Sequence, residues 1–174
     1  LGMFPTAISN AEGSEFRGFL FVGLMLTADG PKVIEFNVRF GDPEAQVILP
    51  MIADDLSTLL MSAAAGELQT SGVSLASEPR VGIVLASGGY PDTYETGKVI
   101  HGLEAAEAIP DVNLFHSGTA KRGSEIVTAG GRVLTVVASG GDYRAAIDRA
   151  YQAAGKIQFE GMHYRKDIGA KALS

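Results

Sequence analysis

Apolar residues in this chain gather in short runs broken by glycine-containing turns. The run from 19 to 26 is apolar throughout. Within residues 16–27 it predicts a strand buried on both faces. Ala28-Asp29-Gly30-Pro31 follows, and Asp-Gly suits a tight hairpin loop, so residues 32–38 return as a second strand. Asp42 then Pro43 predicts a helix start. Asp42 would be the N-cap and Pro43 the first helical residue, where a missing N–H costs nothing. That helix runs to about Ile48. Asp54 or Asp55 caps another helix, whose Leu56, Leu59, Leu60, Ala63 and Ala64 recur at helical spacing. Gly66 stops it.

Residues 69–79 are polar and contain Gly72 and Pro79, and a domain boundary is placed there. Beyond it, residues 80–87 read as a central strand, and 98–103 and 112–117 as further strands. Residues 126–128 and 132–138 flank Gly130-Gly131 and read as a hairpin. Asp142 caps a helix with Ile147, Ala150, Tyr151 and Ala154 on one face, and residues 157–169 form an irregular tail. The fold class is therefore α+β in two pieces. The first, residues 1–75, is a β-hairpin plus helices. The second, residues 76–174, is a small, mostly antiparallel α+β domain. The first piece is too small to own a complete core.

Composition narrows the classes. Of 174 residues, 46% are hydrophobic and 20% charged, which suits a globular chain and not a disordered one. The 22 glycines, roughly twice the ordinary share, predict many tight turns and close backbone approaches. A net charge of −6 argues against a broad nucleic-acid footprint. There are no cysteines, hence no disulfide, thiolate zinc site or thiol nucleophile; this fits a cytoplasmic protein. No apolar run reaches membrane-spanning length. Because the chain opens on Leu1, it is expected to be a piece of something longer.

The chemistry concentrates between residues 35 and 44. On a strand, Glu35, Asn37 and Arg39 point to one face while Phe36 and Val38 point into a core. Glu and Asn oxygens suit Mg²⁺, which is often shared with substrate phosphates. An Arg about 7 Å further along suits a phosphoryl oxygen. The row reads either as one wall of an ATP–metal site or as the solvated face of an antiparallel strand. Gly130 and Gly131 would let backbone approach a ligand, with Arg132 beside it for a carboxylate or phosphate; a β-turn with a solvated Arg explains them equally well. Asp42 and Glu44 could contact a substrate amine, although capping also explains Asp42. Arg165 and Asp167 read as a pair with each other. His101, His116 and His163 lack ligand spacing. No phosphate-loop or dinucleotide glycine fingerprint is present.

Glu35-Phe36-Asn37 followed by Arg39 resembles the closing Glu-x-Asn-x-Arg strand of ATP-grasp ligases. The longer string is more specific. Gly23-Leu24-Met25-Leu26-Thr27, Asp29-Gly30-Pro31, and the run from Glu35 to Glu44 with Gln46 resemble the phosphoribosylamine–glycine ligase family, in its C-terminal portion. Gly88-Gly89-Tyr90-Pro91, Phe115-His116-Ser117-Gly118-Thr119, Thr128 to Leu134 and Tyr164 to Gly169 resemble later motifs of the same family, in order.

The resemblance implies the closing part of an ATP-grasp domain followed by the ligase C-terminal domain. It implies a reaction in which ATP phosphorylates glycine and the acyl phosphate is taken by 5-phosphoribosylamine, giving glycinamide ribonucleotide. It implies Mg²⁺ or Mn²⁺ on Glu35 and Asn37, with Arg39 and Arg132 on developing charge. Asp42, Glu44, Gly130, Gly131 and Arg132 would line the substrate. Many ATP-grasp enzymes carry a further carboxylate on the preceding strand; residues 19–26 have none, so water or ATP oxygens would complete the metal shell. The expected partner is an N-terminal half of the same enzyme, without which this chain would be inactive; no nucleic acid or membrane partner is expected. The alternatives are another ATP-grasp carboxylate–amine ligase, a biotin-carboxylase-like enzyme, or a non-catalytic packing module. The Gly41-Asp42-Pro43-Glu44 run and the residue 164–169 tail argue against the first two.

Overall fold

The computed structural model describes residues 13, 16–68 and 72–173. They fall into two compact units. One holds the described residues up to Asp42 and those of Ile52–Leu75; the other holds Pro43–Met51 and the described residues from Ala76 onward. The fold is mixed α and β, and every strand pair is antiparallel.

The first unit contains a hairpin of β1, Phe21–Thr27, and β2, Gly30–Asn37. Its two-residue turn is Ala28-Asp29, closed by the Thr27 hydroxyl donating to the Gly30 carbonyl at 2.7 Å. Gly30 follows at φ 96°, so the turn sits one residue earlier than Asp-Gly suggested. β1 is also shorter than residues 16–27, because β2 ends opposite Phe21 and leaves earlier residues without a ladder partner. The expectation of burial on both faces fails: no hairpin residue is buried, and Leu26 is 83% exposed. Phe36 and Val38 are likewise exposed rather than set in a core.

Pairing shifts between Gly23 and Leu24, which oppose Glu35 and Val33 and leave Ile34 as an extra residue. This bulge resets the alternation of β2. Val33 and Phe36 share the apolar face with Val22, Leu24 and Leu26, while Glu35 and Asn37 share the other with Phe21, Gly23 and Met25. The same unit contains α2, Leu56–Ala65. Asp55 caps it by accepting from the Thr58 N–H at 2.7 Å, and Gly66 ends it at φ 77°. Arg17 ties to its last turn through the Ala65 carbonyl at 2.9 Å.

The second unit begins with α1, Glu44–Ile48, which was expected to belong with the first piece. Its sheet has the order β3-β7-β4, from Arg80–Ala86, Arg132–Ser139 and Val112–His116. Residues 80–87 were expected to be central, yet β3 is an edge and β7 the centre. The apolar run reported covered faces, not in-plane neighbours. Val81, Ile83 and Leu85 face Ala138, Val136 and Leu134 across the pair, and this face packs on α4, Tyr143–Ala154. On the other face a Cβ at Gly82 would lie 2.7 Å from Val47 of α1, with Thr135 and Val137 beside it. Asp142 caps α4 by accepting from the Ala145 N–H at 2.8 Å. Its buried Ala146, Ala150, Ala153 and Ala154 let the helix sit close to the sheet.

Two further expectations are corrected. Residues 98–103 make only single bridges, Val99 to Val127 and His101 to Gln158. Gly102 then turns left-handed at φ 82° and starts the short helix α3, Leu103–Glu107. Residues 126–138 are not a hairpin. β6, Glu125–Thr128, pairs with β5, Thr119–Arg122, in a separate two-stranded sheet, while β7 pairs with β3 and β4. Gly118 prevents direct pairing across Gly130-Gly131. It donates to the Arg132 carbonyl at 2.9 Å and accepts from the Ala129 N–H at 2.7 Å.

Candidate functional site

In the first unit, Glu35 and Asn37 lie two residues apart on one face of β2, opposite Gly23 and Phe21. Gly23 makes room for the carboxylate side chain: a Cβ there would lie 3.0 Å from Glu35 Cγ. Glu35 is exposed and Asn37 half-buried. Arg39 does not continue the row. β2 ends at Asn37, residues 38 and 39 bend, and the Arg39 guanidinium donates to the Phe40 carbonyl at 2.8 Å. The bend is held by the Phe40 ring, which packs on Phe19 with centroids 4.3 Å apart.

The donor set can be tested against a metal on its own chemistry. Glu35 and Asn37 offer two hard oxygen ligands on one strand face, a partial set of the kind Mg²⁺ accepts when phosphates and water complete the shell. Among the described residues no group of three or more His, Cys, Asp and Glu side chains is gathered for a metal. The residues fit a shared metal and not an all-protein cage.

Asp42 ends the first of the two stretches that make up the first unit, half-buried in the turn before α1. It is not the N-cap. Pro43 occupies that position, one residue later than expected, with no side-chain cap bond. Glu44 lies in the first turn of α1, in the second unit, where its charge suits the positive helix end.

Gly130, Gly131 and Arg132 also belong to the second unit. The glycines are needed by the protein itself rather than simply leaving room for a ligand. A Cβ at Gly131 would fall 2.2 Å from Tyr90 Cδ2, and one at Gly118 would fall 2.7 Å from Gly130 Cα. Past them, Leu85 pairs with Leu134 and Ala86 with Arg132, leaving Val133 as an extra residue. This second bulge turns Arg132 away from the α4 side, onto the face of the sheet that α1 covers. Glu44 and Arg132 thus share a side of their unit.

Other singled-out residues have local roles. Arg165 grips Asp167 through two bonds of 3.0 and 2.7 Å, as the sequence suggested. That pairing holds the Asp167 carboxyl below its ordinary range. Lys98 lies 2.9 Å from both Glu95 and Glu160, and hydrogen bonds to the two carboxylates raise its ammonium pKa. His116 Nδ1 lies 2.9 Å from Thr119 Oγ1. Sequence reasoning missed Ser87. Its signal was a hydroxyl closing an apolar run just before Gly88-Gly89.

Comparison with known proteins agrees across most of the chain. Residues 80–171 match the family model described as phosphoribosylglycinamide synthetase, C domain, and residues 6–45 match its ATP-grasp (A) domain. A phosphoribosylamine–glycine ligase of Chlorobaculum tepidum is 46% identical over 163 residues, covering 94% of this chain and 38% of the relative. One from Yersinia pestis is 49% identical over 166 residues, covering 94% and 39%. The crystal structure of the Thermotoga maritima phosphoribosylamine–glycine ligase matches with a TM-score of 0.74 at 36% identity, over 91% of this chain and 38% of that one. The chain thus spans about two fifths of the length of the curated relatives it matches.

Proposed function

This chain belongs to the phosphoribosylglycinamide synthetase family, and we propose that it is part of an ATP-dependent ligase joining glycine to 5-phosphoribosylamine. The reaction belongs to the parent protein, a cytoplasmic enzyme of purine synthesis. Residues 1–75 would close its ATP-grasp fold and residues 76–174 form its C-terminal domain. The observation that carries the reading is the placement of Glu35 and Asn37 together on the polar face of β2, beside the residue that bulges.

In this reading ATP phosphorylates the glycine carboxylate, and the amine of 5-phosphoribosylamine displaces phosphate from the acyl phosphate. Phosphoryl transfer is mostly a matter of positioning and neutralising charge, which needs no side-chain nucleophile. Glu35 and Asn37 would hold a divalent cation, Mg²⁺ or Mn²⁺, which when bound neutralises phosphate charge. Arg39 sits at the bend after β2, where its guanidinium can exchange the Phe40 carbonyl for a phosphoryl oxygen. Arg132, with Gly130 and Gly131 behind it, would hold an anionic substrate group, and Asp42 and Glu44 the substrate amine.

The test is ADP release from Mg-ATP by the full-length parent, with glycine and 5-phosphoribosylamine supplied together and separately. Turnover that requires both supports the ligase reading; turnover indifferent to either overturns it. Glu35→Gln and Asn37→Ala should each lower turnover by roughly a hundredfold, the scale of one preorganised electrostatic contact, and raise the metal concentration needed. Unchanged metal dependence in both would refute their assignment.

A further inference from the structure

We propose that Ser87 is a positioning residue for Arg132: its buried hydroxyl fixes the Gly130-Gly131 corner and so sets the direction in which the guanidinium meets an anionic substrate group. The inference rests on the reading of Arg132 given above.

A corner made of two glycines has little stiffness of its own, so its conformation must be imposed by its neighbours. Four consecutive residues are held here through their backbones. The Ala129 N–H donates to the Gly118 carbonyl at 2.7 Å, and the Gly118 N–H donates to the Arg132 carbonyl at 2.9 Å. The Gly130 carbonyl accepts from Ser87 Oγ at 2.8 Å, and the Gly131 carbonyl accepts from the Ser87 N–H, also at 2.8 Å. Ser87 therefore supplies two of the four ties, and the Gly130 tie is the one made by a side chain. Ser87 is 2% exposed, one of four buried hydroxyl side chains of this unit with Thr128, Thr135 and Ser139. Arg132 leaves regular register immediately afterwards, at the Val133 bulge, and bulges beside functional sites re-aim side chains. Loss of the Ser87 hydroxyl removes one of the four ties, the one on the Gly130 carbonyl, and so loosens the corner.

The experiment is steady-state kinetics on the full-length parent with Ser87→Ala, Ser87→Cys, Arg132→Ala and the Ser87→Ala/Arg132→Ala pair, alongside thermal melts. Ser87→Ala should lose roughly three- to tenfold in kcat/KM, the scale of one neutral hydrogen bond. The loss should fall in the same parameter, kcat or one substrate's KM, that Arg132→Ala alters. Ser87→Cys, which keeps the shape and a weak donor, should recover part of it and carries the comparison if the alanine variant does not fold. In the Arg132→Ala background, Ser87→Ala should have no further kinetic effect. Full activity in Ser87→Ala beside a damaged Arg132→Ala overturns the inference alone, as does an equal loss in both backgrounds. If Arg132→Ala is itself silent while Glu35→Gln is not, the reading of Arg132 has failed and this inference with it.

Discussion

Gly131→Ala probes whether the corner before Arg132 is a packed joint. The added Cβ would lie 2.2 Å from Tyr90 Cδ2, 2.8 Å from Tyr90 Cε2 and 3.0 Å from Tyr94 Cε1. Favourable carbon contacts begin near ~3.5 Å, so the Tyr90 ring must retreat by about an ångström or the corner must open. Gly131 is not among the residues at positive φ, so alanine brings no backbone strain and the clash is the whole effect. Overpacking of this kind costs about 1–3 kcal/mol, a fall of roughly 5–20 °C in Tm for a unit of this size. Urea and thermal unfolding of the chain measure it. Gly141, with nothing within 4 Å of its Cβ position, is the control and should tolerate alanine. Tyr90→Ala removes the obstructing ring. In that background only the 3.0 Å approach to Tyr94 remains, so Gly131→Ala should cost much less, giving a coupling energy of about 1 kcal/mol or more. A Gly131→Ala shift no larger than that of Gly141→Ala, or strict additivity with Tyr90→Ala, would refute the packed joint and leave the glycine to a ligand.

The remaining expectations concern helix ends. Hydrogen bonds from the Ser57 hydroxyl and the Thr58 N–H lower the Asp55 pKa from 3.8 to about 2. Its folded value is depressed, so its contribution to stability is complete above the unfolded pKa and is lost as pH falls from about 4 through about 2. A carboxyl ¹³C titration should show a midpoint near 2; a midpoint at the ordinary aspartate value would contradict the cap. Asp142→Ala removes the acceptor for the Ala145 N–H and should cost about 1 kcal/mol, with faster amide exchange in the first turn of α4. Asp142→Asn should retain most of that protection, and equal exchange in both variants would count against side-chain capping.

Local signals in the sequence were readable wherever one residue's chemistry decided the outcome. Asp55 and Asp142 cap as their short carboxylates suggest, and Gly66 ends its helix because it takes a left-handed conformation cheaply. Where the outcome depended on distant partners, the sequence misled. The apolar run of β3 reflects α4 and α1 on its two faces and carries no record that β7 lies at the centre. Gly130-Gly131 looked like a hairpin turn because Gly118, twelve residues earlier, is invisible to local pattern. At the site, Glu35 and Asn37 were placed on one face by simple alternation. Arg39 was not, because the strand ends with its partner at Phe21. Ser87 escaped notice because a single hydroxyl after a strand is ordinary until the carbonyl it meets is known.

Both bulges have a consequence for how this protein tolerates insertions and deletions. Val33 and Glu35 carry numbers of the same parity, yet Ile34 between them puts them on opposite faces of the hairpin. Leu134 and Arg132 are divided in the same way by Val133. Losing either intervening residue would close the bulge yet leave Val33 beside Glu35, or Arg132 beside Leu134, as consecutive residues still on opposite faces, so each polar side chain would keep its side. Deletion of Ile34 or Val133 is therefore expected to be milder than deletion of one residue elsewhere in the same strands, which reverses the faces beyond it, and the exposed turn at Ala28-Asp29 can lengthen without altering the phase of either strand.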